Sequence, residues 1–443
     1  MKDAKSLTIA VIGLGKIGLP LAAQYADRGH EVIGVDINPT TVEAVNSGLA
    51  PFPGEAHLDE HLARLVPAGR LRGTLDYADA VPGADAVVVV VPLFVDQHGV
   101  PDFGWMDSAT QELGRNLTAD TTVIYETTLP VGTTRGRWKP ALERESGLVE
   151  GVDFHVVFSP ERVLTGRVFA DLRRYPKLVG GLSAEGAAAA VEFYQATLEF
   201  DERPELDRGN GVWDLGSAEA AEMAKLAETT YRDVNIGLAN QFAVFAEGAG
   251  IDVFQVIEAC NSQPYSHIHT PGVSVGGHCI PVYPRLYLSN DPDATIVSSA
   301  RQANASMPEH SVDTLQRLHG DLTGAHVVVA GISYRAGVKE TAFSGAHDLV
   351  RLLEGRGARV SVHDPLYSDD EISALGWAAW TWGQPADALV LHTAHPEYVG
   401  LAASDIPGLR TVYDGRNVLD PDLFPEQAIG TVGRPDRTAS DGD

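Results

Sequence analysis

The sequence predicts an α/β protein: two Rossmann-like, doubly wound domains joined by a central helical segment with one long helix. Three observations carry this. Short apolar runs recur at the spacing of βαβ units, first over residues 7–181 and again over 326–415. Between them, residues 214–250 are rich in Ala, Glu and Leu, lack proline and close on Gly248 and Gly250, as one long helix would. The 443 residues also exceed what a single hydrophobic core usually organises. The expected domains are 1–205, 206–310 and 311–433, followed by an unstructured polar tail over 434–443.

Composition narrows the function. Hydrophobic content of 44% and charged content of 21% are ordinary for a soluble globular chain. Thirty-three basic against sixty acidic side chains leave a formal charge of −27, which argues against a nucleic-acid partner. The longest apolar run, 86–95, is far short of a membrane span and is broken by Pro92, so no membrane partner is expected. Two cysteines and no secretory leader pattern read as a cytoplasmic protein.

The first elements read as strand (7–12), glycine turn, helix (19–28, stopped by Gly29) and strand (31–36). The turn is Gly13-Leu14-Gly15-Lys16-Ile17-Gly18, and Asp36 ends the following strand. A glycine pattern alone is weak evidence. In this context it is a dinucleotide fingerprint: glycines for the tight turn and close pyrophosphate approach, a helix N-terminus for the phosphates, and Asp36 for the ribose hydroxyls. Asp36 would repel a 2′-phosphate, so the expected cofactor is NAD.

Strands are expected at 85–91, 121–127, 154–159 and 177–181. The first three end in polar clusters: Val91-Pro92-Leu93, Glu126-Thr127-Thr128-Leu129-Pro130 and Ser159-Pro160-Glu161-Arg162. Ligands of such sheets bind at the carboxyl ends of strands, so three clusters there read as a site. On the long helix, with Ser217 near its start, Lys225, Thr229 and Arg232 share one face at i, i+4 and i+7, which suits either a ligand or solvent. A helix over 251–261 follows, then a loop, then a helical return ending near Met307-Pro308.

The loop holds Cys279 between Gly276-Gly277 and two prolines, Pro281 and Pro284. A thiol on a loop with a flexible entry and a stiff exit suits a nucleophile, although a buried structural cysteine would satisfy the same pattern. His267, His269 and His278 beside Cys279 fit no usual zinc spacing, so no metal is expected. Beyond the loop, strands are expected at 326–333, 358–365, 388–395 and 409–415, with a helix at 345–356. The first turn of this domain, Gly331-Ile332-Ser333-Tyr334-Arg335, lacks the dinucleotide glycines and should hold another ligand. Arg335 and Arg416 stand at strand ends and suit phosphates.

Taken together, the motifs resemble the UDP-glucose/GDP-mannose dehydrogenase family over nearly the whole chain. The carriers are the 13–20 turn, Ser159-Pro160-Glu161-Arg162-Val163-Leu164, Lys225 within 221–226, Tyr231-Arg232-Asp233-Val234-Asn235-Ile236, Gly276-Gly277-His278-Cys279-Ile280-Pro281 and Asp414-Gly415-Arg416-Asn417. The second and fourth strings look most like the branch acting on UDP-N-acetylhexosamines, UDP-N-acetylmannosamine in particular.

The resemblance implies a four-electron, NAD-dependent oxidation of a UDP-sugar C6 alcohol to a carboxylate. It assigns Cys279 as nucleophile, Lys225 as acid/base and oxyanion partner, Glu161 to the water step and Thr128 to cofactor and water. Leu93 joins Gly13 to Gly18 and Asp36 around NAD. Arg162, Val163, Lys225, Thr229, Arg232, Gly276, Tyr334, Arg335 and Arg416 match substrate positions, and the long helix matches a homodimer core. Four positions depart from the family pattern: Thr229 for asparagine, Tyr283 for aspartate, Ala342 for an arginine expected at NAD, and Tyr265 for an arginine before the cysteine loop. The competing readings are a UDP-glucose 6-dehydrogenase, an enzyme that stops at the C6 aldehyde, and an NAD-binding regulator with Cys279 as redox sensor.

Overall fold

The computed structural model describes residues 6–96 and 99–438. Contacts divide the chain at Ala227/Glu228, inside the long helix, into two units. In the first unit the strands are β1 (Thr8–Ile12), β2 (Glu31–Val35), β3 (Leu71–Thr74) and β4 (Ala86–Val89). A two-residue-per-strand hairpin follows, β5 (Phe94–Val95) with β6 (Pro101–Asp102). The remaining strands are β7 (Thr122–Tyr125), β8 (His155–Phe158), β9 (Lys177–Gly181) and β10 (Val212–Asp214).

Eight of them form one sheet in the order β10-β9-β8-β7-β4-β1-β2-β3. Every neighbouring pair in it is parallel except β8 with β9. The order β3-β2-β1-β4-β7-β8 is the doubly wound dinucleotide arrangement, whose chain direction of winding reverses between β1 and β4. The apolar runs follow from this. Strand β4 is buried throughout because helices cover both faces, whereas β3 alternates at the edge and is less apolar.

The second unit contains an all-parallel sheet of β11 (His326–Ala330), β12 (Arg359–His363), β13 (Ala388–Leu391), β14 (Thr411–Asp414) and β15 (Ala428–Thr431), in the order β12-β11-β13-β14-β15. Strand β15 was not expected, because Ala-Ile-Gly-Thr is too short and small for a strong strand signal.

The long helix runs over Ala218–Ala249, and Ser217 Oγ accepts from Ala220 N at 3.1 Å near its start, as the sequence predicts. Two expectations need correction. The return helix does not end at Pro308 but spans Thr295–His319 with Pro308 inside it. Its buried residues continue on both sides of the proline, through Met307 to Leu315, and packing on β14, β15 and the helix Ala346–Gly355 outweighs the lost hydrogen bond. A domain boundary near residue 310 therefore falls inside one helix, and that helix belongs with the C-terminal sheet. The segment after Arg434 is also ordered as far as it is described. Arg437 exchanges both main-chain hydrogen bonds with Ile429 beside β15 (2.8 and 2.9 Å), and Asp436 pairs with Arg317. The unpaired edge of β15 draws the segment in. Residues 439–443 of the expected tail lie outside the described residues.

Candidate active site

The glycine turn sits at the winding reversal. Gly13 takes a φ of +97°, which only glycine adopts freely, and its N–H donates to Val35 O at 2.8 Å. A Cβ on Gly18 would stand 1.9 Å from Gly13 O, so the third glycine is needed for the helix Gly18–Asp27 to close on the turn. A Cβ on Gly15 would meet no protein atom within 4 Å. The turn thus presents open backbone where a pyrophosphate would approach, at the N-terminus of a helix. Asp36 is held ready: one carboxylate oxygen accepts from Leu14 N (2.8 Å) and the other from Asn38 N (2.9 Å). The carboxylate keeps further lone pairs for a hydroxyl donor, and an open glycine turn beside an acidic strand end is a set that fits NAD. Leu14 is buried against Gly34, while Lys16 is exposed, Ile17 half-buried and Leu93 packed on the sheet core.

The β7 and β8 ends meet in a buried charged cluster. Lys177 Nζ, at the start of β9, lies 2.8 Å from both Glu126 Oε2 and Glu161 Oε2. Glu126 also accepts from Tyr194 OH at 2.5 Å and Tyr25 OH at 3.3 Å. Glu161 Oε1 accepts from its own following amides, Arg162 N (2.6 Å) and Val163 N (3.1 Å). Burial, with Glu161 nearby, pushes the Glu126 carboxyl up to about 7 despite Lys177. Burial pushes Glu161 the same way, but Lys177, Glu126 and the Arg162 amide together bring it below its ordinary value. Thr128 is buried beside this cluster in sequence, and Thr127 Oγ1 ties the β7 end to Val91 O at 2.6 Å. Arg162 donates to Pro176 O at 3.2 Å.

The start of the long helix is pinned to the loop after β7. Glu222 accepts from Gly132 N (2.6 Å), Thr134 N (2.9 Å) and Thr134 Oγ1 (2.7 Å). Glu222 stands three residues before Lys225 and fixes that turn of helix. Lys225 and Thr229 are buried and Arg232 is exposed.

In the second unit the helix holds the cysteine loop. Asn235 Nδ2 donates to His267 O (2.6 Å) and Asn235 Oδ1 accepts from His269 N (2.9 Å). Asn240 Oδ1 accepts from Gly272 N (2.9 Å), and its Nδ2 donates to Asn304 Oδ1 (2.8 Å). Asn304 in turn donates to the buried Asp233, which Arg301 also meets at 2.5 Å. Cys279 is exposed and free. Its carbonyl accepts from Tyr283 N at 2.9 Å, so Tyr283 opens the helix Tyr283–Asn290 directly after the thiol's turn. The glycine pair is explained by packing: a Cβ on Gly276 would meet Phe343 O and Tyr334 Cβ at 2.9 Å, and one on Gly277 (φ +99°) the Tyr334 ring at 3.0 Å. Tyr334 therefore backs the loop. Its phenol is pushed up, first by burial, with Cys279 and Glu340 adding and Arg335 opposing.

Gly331 (φ +87°) turns the chain between β11 and the β13 end; a Cβ there would lie 2.5 Å from Thr393 Cβ. Asp364 Oδ2 accepts from Ile332 N (2.8 Å), Ser333 N (2.9 Å) and His395 (3.1 Å), so the protein's own groups close this turn. Arg335 is exposed at its lip. Arg416 is placed otherwise than a free phosphate ligand. Its Nε donates to His392 O at 2.6 Å and its guanidinium to Ser274 O at 3.3 Å and Ser274 Oγ at 3.4 Å. Burial lowers it to about 10. Arg416 ties the β14 end to the entry of the cysteine loop. His392, 3.0 Å from Ser274 Oγ, is pushed down to about 3 by burial and by Arg416, and is neutral.

Lys177, Glu222, Asn240 and Ser274–His392 went unnoticed in the sequence. Lys177 left one signal, a lysine at the head of an otherwise apolar strand. Among the described residues no group of three or more His, Cys, Asp or Glu is placed to hold a metal ion, and no helix is long and apolar enough to cross a membrane.

Profiles of the NAD binding, central and UDP binding domains of the UDP-glucose/GDP-mannose dehydrogenase family match residues 7–198, 219–306 and 328–421. A UDP-N-acetyl-D-mannosamine dehydrogenase of Pyrococcus horikoshii is 34% identical over 425 residues, covering 93% of this chain and 96% of the relative. The solved structure of UDP-D-ManNAc dehydrogenase from Pyrococcus horikoshii superposes with a TM-score of 0.85 at 32% identity, over 96% of this chain and 99% of that one. A UDP-glucose dehydrogenase from Pyrobaculum islandicum superposes with a TM-score of 0.86 at 26% identity, over 98% and 99%.

Proposed function

Because the chain belongs to the UDP-glucose/GDP-mannose dehydrogenase family, we propose that it oxidises the C6 hydroxyl of a UDP-N-acetylhexosamine, UDP-N-acetylmannosamine foremost, to the carboxylate. It is an NAD-dependent nucleotide-sugar dehydrogenase, and its fold is that of the family. The observation that carries the finer reading is the exposed, free Cys279 on a loop fastened by Asn235, Asn240 and Tyr334. A loop so tied presents one reactive atom in a defined place.

Bound NAD supplies a hydride acceptor, and two are used per sugar. Within the chain, Lys225 takes the C6 hydroxyl proton as the alcohol becomes an aldehyde, and Cys279 then adds to the carbonyl carbon. After the second oxidation the sugar is a thioester of Cys279. Water attacks that carbon, gives its proton to Glu161 and releases the thiolate. Lys225, with Thr229 in place of an asparagine, meets the oxyanion. Arg162, Val163, Arg232, Gly276, Tyr334 and Arg335 bind the sugar nucleotide, with Arg416 shaping the floor.

Tyr283 favours a second reading, in which oxidation ends at the aldehyde. It stands where the family carries an aspartate and forms the first residue of a helix instead. A panel of UDP-N-acetylmannosamine, UDP-N-acetylglucosamine, UDP-N-acetylgalactosamine and UDP-glucose, read by product mass and NADH, tests both. Two NADH and an acid are expected. One NADH means the aldehyde, and no turnover with any of them overturns the enzyme reading in favour of a regulator.

The protein is further a cytoplasmic homodimer built on the long helix. Tyr231, Leu238, Phe242 and Phe245, at i, i+7, i+11 and i+14, form one exposed stripe. Phe245 keeps 72% of its surface exposed, and a second copy of the same stripe is the occupant that fits a self-complementary apolar face.

A further inference from the structure

We propose that Glu126 and Lys177 are positioning residues for the hydrolytic step: they hold Glu161 aimed and ionised, and Glu126 keeps the proton that would otherwise compete for it. The inference rests on the role given above to Glu161 and deepens it.

The geometry is that of a three-membered buried relay. One ammonium, Lys177 Nζ, bridges two carboxylates at 2.8 Å each. A single buried cation balances one of them, so the second must carry a proton or leave an uncompensated charge in the interior. The surroundings decide which. Glu161 collects donors, Lys177 and two backbone amides, and these favour the charged form. Glu126 is almost wholly buried beneath it. Its neighbours from the other packed elements are the phenols of Tyr25, on the helix Gly18–Asp27, and Tyr194, on the helix Ala184–Thr197. Lys177 lies over the Tyr194 ring, 4.9 Å from its centroid, so the ammonium is enclosed on that side too. The Glu161 N–H donates to Glu126 O at 3.2 Å, which fastens the two loops at the same point.

The consequence is chemical. When water adds to the thioester, its oxygen bonds the carbonyl carbon, its proton goes to Glu161, and the carbon–sulfur bond breaks to release the Cys279 thiolate. Glu161 can accept that proton only if it begins ionised. A protonated Glu126 and a charged Lys177 make it so, and neither touches the substrate in this scheme.

Two measurements on the full chain test this. The first needs no substrate: infrared difference spectra between about pH 6 and about pH 8.5 should show the loss of one buried protonated-carboxyl band. The band should be absent in Glu126→Gln, and should move to lower pH in Glu161→Gln, where Lys177 has a single carboxylate left to balance. A wild type without the band, or a band kept unchanged in Glu126→Gln, overturns the proposal. The second is the pH profile of kcat. Lys177→Met should move the acidic limb upward by about one pH unit or more, while Lys177→Arg restores it. An even loss of kcat with an unmoved limb would mean a merely structural lysine. If Lys177→Met does not fold, the infrared comparison decides. A wild type that turns over no UDP-sugar, or releases only one NADH, defeats the catalytic reading instead and leaves the infrared result to stand or fall separately.

Discussion

Single residues carry the clearest chemistry. Asp36 was legible because its partners are local: the strand it ends and the turn it serves lie within 22 positions. Asp36→Ala is expected to raise the KM for NAD about tenfold or more, equivalent to about 1.4 kcal/mol, with kcat changed less; unchanged NAD kinetics would count against the ribose role. Cys279→Ser should lower two-step turnover by at least about a hundredfold, and a variant making acid at the full rate would sink the covalent route. Glu126 is the residue that sets pH behaviour. Its carboxyl is raised in the fold, so the stability it contributes is full below its unfolded value and is lost as pH rises through about 7. Glu126→Gln should therefore flatten the fall in Tm between its unfolded value of 4.5 and about pH 7, and an unchanged slope refutes the assignment. Lys177 was not legible as a partner of Glu126, since 51 residues separate them. No local pattern links two such positions.

At the scale of elements, the long helix works as a frame. Its first turns are clamped by Glu222 and its later turns hold the cysteine loop through Asn235 and Asn240. The helix itself follows from composition and lack of proline, but the asparagines were visible only as polar residues on it. Asn240→Leu leaves the Gly272 N–H and the Asn304 side chain short of partners, and should destabilise the protein by about 1–3 kcal/mol, measured by denaturant unfolding; a neutral effect would mean that water replaces the asparagine. Pro308 shows the opposite limit. A proline normally marks a helix end, and here packing on the C-terminal sheet carries the helix through it.

At the scale of the molecule, the exposed stripe on the long helix is the feature a lone chain leaves unsatisfied. For the dimer proposed above, Phe245→Glu combined with Leu238→Glu should leave only monomers in light scattering coupled to gel filtration. A wild type that is already monomeric at micromolar concentration would remove the interface.

By itself the sequence determined the fold class, the dinucleotide turn, the acidic residue at the end of the second strand and the thiol between glycines and prolines. Each of these is written in a few adjacent residues, where backbone freedom and strand or helix periodicity act. Only the tertiary structure decided which charges share one buried cation, why Gly276 and Gly277 must be glycine against Tyr334, and that Arg416 holds the loop entry. Those are contacts between residues far apart in the chain. Burial sets their energies, and burial is a property of the packed molecule that no short stretch of sequence contains.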